Sequence, residues 1–218
     1  MFKYIFLLLI LSFYQPVFST EDTISQAVAR YLTRIHKYME AEDWINAERE
    51  LEQTARRYFK NEDSYERALI NQLYGQFYAM QRDYKNAIPW FEKAIAKGRL
   101  PFAADLQVTY SLAQCYFQTG RYTDVINTLE NYRTKASKRG QNMAPVQLMV
   151  LGIAYFQEQE MLKAYLNIAE ANATSTKLNE EWLQYEFALA VKLEKYDDAI
   201  SVGQFLIFVN PEKKSYWK

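Results

Sequence analysis

A phrase that recurs along the chain constrains its fold more than any other feature. A small residue is followed three positions on by Tyr, then by a short polar turn and a second Tyr, then by another small residue. It reads Gly75…Tyr78…Asp83-Tyr84…Ala87, and again Ala113…Tyr116…Gly120-Arg121-Tyr122…Val125. Gly152…Tyr155…Ala164 repeats it, and Lys195-Tyr196-Asp197-Asp198-Ala199 repeats its second half. Self-similarity at a near-constant period marks a repeat architecture, in which each unit buries its apolar face against its neighbours.

The rest of the chain agrees with that constraint. From Thr23 onward, apolar positions recur at three- and four-residue spacing, the mark of amphipathic helices. Breaks are short and polar: Ala41–Asp43, Lys60–Asp63, Gln81–Asp83, Lys97–Pro101, Thr119–Arg121, Arg139–Asn142, Glu158–Glu160, Thr174–Thr176, Glu194-Lys195 and Asn210-Pro211. They predict ten helices in five antiparallel pairs. No long linker or composition shift divides them, so residues 20–218 read as one domain. Half of the 218 residues are apolar and 16% aromatic, enough for a substantial core, while Gly (6) and Pro (5) are scarce. Pro89 falls inside a predicted helix, where it removes one backbone hydrogen bond and implies a mild kink.

Residues 1–19 are different. A short positive start, Met1-Phe2-Lys3, precedes an apolar stretch from Tyr4 to Tyr14 and a stretch ending Val17-Phe18-Ser19. This is the layout of a secretory signal peptide cleaved near Ser19. Its apolar run of about 11 residues is well short of the ~20 a membrane span needs. The mature chain is therefore expected to have no membrane span. Cys115 is the only cysteine, so no internal disulfide forms, and beside Tyr116 and Phe117 it reads as a small buried hydrophobe. An exported chain without paired cysteines fits a bacterial periplasm better than a secreted eukaryotic domain. Asn172-Ala173-Thr174 matches a glycosylation acceptor, an accidental match in that setting.

The spacing of small and bulky residues resembles the tetratricopeptide repeat, a helix hairpin with small residues at three fixed positions and large ones at two. Gly75, Tyr78, Ala87, Phe91 and Ala94 match all five, and Gly152, Tyr155, Ala164, Ile168 and Ala171 match with an aliphatic at one large position. Ala113, Tyr116, Val125 and Leu129 form a looser copy. The first copy has Tyr38 and Ala47 but Ile35 at a small position, and the fifth has Ala199 but Phe187 where a small residue belongs. The resemblance implies an all-α, right-handed α-solenoid of about five helix pairs, with small residues where helix backbones meet and large ones filling the seam.

Nothing in the sequence assembles a catalytic constellation. His36 is the only histidine, so neither a His-based metal site nor a triad can form, and there is no glycine-rich phosphate loop. With 26 basic and 26 acidic residues, the chain has no basic excess to suit nucleic acid. It reads as a non-enzyme without cofactor or metal, and protein or peptide is the expected partner. In the family the first helices of successive pairs line a concave groove. Carried over, that role falls to Gln72, Gln76 and Met80, to Tyr110, Gln114 and Phe117, and to Met149 and Phe156. Such amide and aromatic side chains suit an extended or helical peptide. The Lys/Arg/Asn clamp with which some relatives hold a C-terminal carboxylate is missing from these positions.

The C-terminal end is a second candidate interface. The last helix contains Phe205-Leu206-Ile207-Phe208, apolar on more than one side, and Tyr216-Trp217 follow. Solenoid ends need a polar cap. Either those aromatics fold back, or Phe205, Phe208, Tyr216 and Trp217 meet another protein or a second copy. The phrase Pro211-x-Lys213-x-x-Tyr216-Trp217 is also similar to periplasmic repeat proteins associated with TonB-type systems, which would imply an accessory role in energised outer-membrane uptake. Two readings follow: an exported scaffold that binds partners in its groove, or a subunit of an envelope assembly joined through its C-terminal face.

Overall fold

The computed structural model describes residues 26–213 except 59 and 62. The signal-peptide expectation and the aromatics Tyr216 and Trp217 lie outside the described residues. Ten helices appear, and no strand is present among the described residues. They are α1 (Gln26–Glu40), α2 (Trp44–Tyr58), α3 (Tyr65–Met80), α4 (Tyr84–Ile95), α5 (Phe102–Gln118), α6 (Tyr122–Ser137), α7 (Pro145–Gln157), α8 (Met161–Thr174), α9 (Glu180–Lys192) and α10 (Tyr196–Val209). The helix count and the breaks follow the periodicity, and α4 continues through the exposed Pro89.

The contacts divide the chain into two compact units, one ending at Cys115 and one beginning at Tyr116, within α5. In the first unit α1 pairs with α2, α2 packs on α3, and α3 pairs with α4. Its core gathers Ile35, Met39, Leu51, Ile70, Leu73 and Phe77, all nearly inaccessible. Trp44 meets Phe77 edge-on at 6.0 Å, and Tyr74 stacks on Trp90 at 4.4 Å. Cys115 is buried, and burial pushes its thiol up to about 12, which leaves it protonated and inert at neutral pH. In the second unit α6 packs on α7, α7 pairs with α8, α8 packs on α9, and α9 pairs with α10.

In three of the pairs the seam sets a glycine against a large residue. A Cβ added at Gly75 on α3 would lie 2.5 Å from the Phe91 ring on α4. One added at Gly152 on α7 would lie 2.6 Å from Ile168 and 3.2 Å from the Ala164 carbonyl oxygen on α8. Neither position admits even alanine without displacing its partner. The last pair explains the departure at Phe187. There the large residue stands on the first helix and the glycine on the second: a Cβ at Gly203 would meet Phe187 at 3.4 Å. The seam keeps its volume by exchanging the two sides.

The turns within the pairs share one geometry. A residue with φ between 55° and 73° ends each turn: Glu42, Arg82, Gly120, Gln159 and Glu194. In each, the next N–H reaches back to a carbonyl five residues earlier at 2.9 Å: Asp43 to Tyr38, Asp83 to Tyr78, Arg121 to Tyr116, Glu160 to Tyr155 and Lys195 to Ala190. With the shorter companion bonds, such as Arg82 N–H to Ala79 O at 2.9 Å, this is the Schellman closure of a helix end. The recurring Tyr therefore does two jobs in four of the turns: its ring packs at the seam and its carbonyl closes the turn. Asp43 and Asp83 then cap the following helices by accepting from the N–H groups of Asn46 and Asn86.

Two predictions follow from these geometries. Gly75→Ala should lower stability by about 1–3 kcal/mol, the usual cost of overpacking. Gly203→Ala meets an ordinary contact, and it should be neutral or gain up to ~1 kcal/mol from helix propensity. Urea midpoints measure both, and equal losses would contradict the exchanged seam. At the turns, Gly120→Ala should cost about 1–2 kcal/mol because an alanine there is forced into left-handed backbone. Arg82→Gly relieves that same strain and should not destabilise. A loss at Arg82→Gly as large as that at Gly120→Ala would contradict the turn account.

Candidate functional site

The first helices carry the residues expected to face a partner, and burial sorts them. In the first unit, Gln76 and Met80 on α3 and Tyr110 and Gln114 on α5 are half-buried. Gln72 is 3% exposed, so it is not a surface contact. The reason is local: Ala68 to Leu73 are buried without interruption, because α3 is packed by α2 on one side and α4 on the other. Met80 packs in part against the core of its own unit.

In the second unit, Phe156 on α7 is half-buried, and Phe117 meets Tyr122 edge-on at 5.6 Å while keeping part of its surface. Met149 is 3% exposed, which corrects its expected place in the groove. It lies within Gln147–Tyr155, all buried, because α7 is held between α6 and α8. A helix that is apolar all round has an interior position, and periodicity cannot tell which side is open.

Beneath the surface of the first unit's site lie several polar atoms without partners. The amide oxygens of Asn71, Gln72 and Gln76 and the hydroxyl of Thr54 are enclosed, with no hydrogen-bond partner among the described residues. Gln72 and Gln76 are one turn apart on the same face of α3. An enclosed acceptor left unmet costs about 1–3 kcal/mol. Composition alone pointed to amides here but not to their lack of donors.

The second unit instead satisfies its polar groups internally. Tyr155 donates to Glu130 at 2.9 Å, and Arg133 pairs with Glu130 at 3.1 Å and donates to Asn167 on α8. Burial and the Glu130 bond push the Tyr155 hydroxyl up to about 12. Tyr165 donates to Asp198 at 2.7 Å, tying α8 to α10. These bonds hold the helices together.

At the C-terminal end Phe205 and Phe208 are 53% and 78% exposed. The sequence reading missed Phe187, Val191, Tyr196 and Ile200, which are also exposed there. No group of three or more His, Cys, Asp or Glu that could hold a metal occurs among the described residues. His36 lies on α1 with Nδ1 2.9 Å from the Leu32 carbonyl oxygen, and burial lowers its pKa. No described helix is long and apolar enough to cross a membrane.

Comparison with known proteins gives the same architecture. A tetratricopeptide repeat family model matches residues 32–104, and the model for the anaphase-promoting complex (cyclosome) subunit 3 matches residues 80–141. No curated protein matches the sequence. Among solved structures, MamA from Desulfovibrio magneticus RS-1 is 16% identical with a TM-score of 0.65, over 88% of this chain and 99% of that one. PilW, a widely conserved type IV pilus biogenesis factor, is 16% identical with a TM-score of 0.54, over 89% and 98%. YrrB, a TPR protein with an unusual peptide-binding site, is 13% identical with a TM-score of 0.65, over 86% and 88%. At such identities the likeness is one of fold. The tetratricopeptide repeat model thus covers residues 32–104, and the glycine seams and the recurring turn carry the same helix-hairpin pattern on through the later helices.

Proposed function

We propose that this chain is an exported, non-enzymatic scaffold that binds a protein or peptide through the open faces of its first helices. One observation carries the reading: Gln76 on α3 and Tyr110 and Gln114 on α5 keep part of their surface on first helices, where the repeat register places partner contacts. The half-buried Tyr110, Phe117 and Phe156 supply aromatic anchors of the sort that dominate peptide affinity. The peptide-binding site of the similarly folded YrrB lends support by analogy. Export rests on the layout of residues 1–19, and periplasmic residence follows from it. The phrase around Pro211 supports a place beside a TonB-type uptake system. The pilus factor PilW offers envelope assembly as a second setting for the same fold.

Photo-crosslinking in intact cells tests this reading. A crosslinking residue at Gln76 or Gln114 should capture the same protein, and one at the exposed second-helix positions Lys85 or Asn127 should not. Affinity of the purified chain for that protein should fall more than about tenfold when Tyr110, Phe117 and Phe156 become alanine with helix content intact. Equal capture at all positions, or unchanged affinity, contradicts the site. A cytoplasmic chain retaining Met1 contradicts export.

A further inference from the structure

The two ends of the second unit carry opposite charge. Packed consecutive helices joined by short turns run in alternating directions. Residues 138–144, 175–179 and 210–213 therefore lie at one end of this unit, and the turns within its hairpins lie at the other. Glu180 at the start of α9 holds the last segment to that first end, accepting from Lys213 at 2.6 Å and from Asn210 at 3.4 Å. Exposed Lys138, Arg139, Lys177 and Lys213 lie there, with exposed Glu181 and Glu212. At the other end stand exposed Glu158, Glu194 and Asp197. The bases beside them, Arg121, Lys163 and Lys195, are each in an ion pair.

The basic end also presents apolar tips. The residue two before each first helix is Leu100 ahead of α5, Met143 ahead of α7 and Leu178 ahead of α9. Leu100 and Met143 are each 7% exposed, whereas Leu178 is 54% exposed. Ahead of α3 the same position is also exposed, but there it is Asp63, paired with Arg99 at 2.8 Å. Phe208, in the last turn of α10 and so at the same end as Leu178, is 78% exposed.

We propose that this end of the second unit seats on a bilayer of anionic phospholipid, with Leu178 and Phe208 entering the acyl boundary and Lys138, Arg139, Lys177 and Lys213 against the headgroup phosphates. A membrane surface is layered, with phosphate above hydrocarbon, and apolar tips set among basic side chains match both layers. Long basic side chains keep their charge at the phosphates while the tips between them go deeper. An acidic protein would meet the bases and leave the tips in water. Attachment of this kind needs no membrane-spanning helix.

Flotation of the chain, as processed and purified from the cell, with vesicles of phosphatidylglycerol and phosphatidylethanolamine tests the proposal. Flotation should exceed that with phosphatidylcholine vesicles by at least about fivefold and should fall as salt is raised. Leu178→Ser and Phe208→Ser should each lower it more than about threefold with unchanged helix signal. If Phe208→Ser loses helix signal, Leu178→Ser, which lies in a turn, decides. Lys138→Gln combined with Arg139→Gln should lower flotation and flatten its salt dependence. Leu162→Ser, at a 52% exposed leucine beside the acidic end, should change nothing. Equal flotation with both kinds of vesicle overturns the proposal. So does flotation that responds to the basic residues but not to Leu178 or Phe208, the behaviour of a site for a soluble polyanion or an acidic protein. Flotation indifferent to every substitution places attachment elsewhere in the chain and overturns it as well. A Leu178→Ser chain that loses thermal stability and keeps its flotation has that leucine covered from within, with the same consequence.

Discussion

The contact between one small and one large residue across a helix hairpin, present in three of the five, supports the rest of the structure. Gly75 against Phe91 and Gly152 against Ile168 set how closely two backbones approach. That approach lets the Tyr carbonyl reach the N–H five residues on and close the turn in left-handed backbone. With the turn closed, the second helix begins two residues on in every pair. Its own small residues, such as Ala87 and Ala164, are then completely buried.

Much of this was legible in the sequence, because small residues at fixed spacing report a steric requirement that few other features impose. Gly75 and Gly152 announced their contacts directly. Phe187 looked like a defect when read alone. Its explanation is Gly203, sixteen residues later, and only the packed pair shows that volume has moved from one helix to the other. The left-handed residues were mostly hidden for a different reason. Only Gly120 advertises positive φ, while Glu42, Arg82, Gln159 and Glu194 carry the same geometry on residue types that do not favour it.

The candidate site was legible in composition and less so in detail. Gln76, Tyr110, Gln114, Phe117 and Phe156 keep accessible surface on first helices, as the repeat register implies. Gln72 and Met149 do not, because α3 and α7 are packed by helices on both sides and sequence register cannot count neighbours. The seam and the site also differ in how substitutions act. A seam residue is constrained by the atoms that face it across the hairpin. A first-helix face is constrained only by what it binds, so a repeat scaffold keeps its fold while that face changes.

A double-mutant cycle between Gly152 and Ile168 tests the seam most directly. Gly152→Ala should cost about 1–3 kcal/mol in the natural background, where the new methyl meets Ile168. In an Ile168→Ala background only the 3.2 Å approach to the Ala164 carbonyl oxygen remains, and the same change should cost at least ~1 kcal/mol less, a coupling well outside additivity. Equal costs in the two backgrounds, read from urea unfolding, would contradict the claim that this small–large contact sets the hairpin.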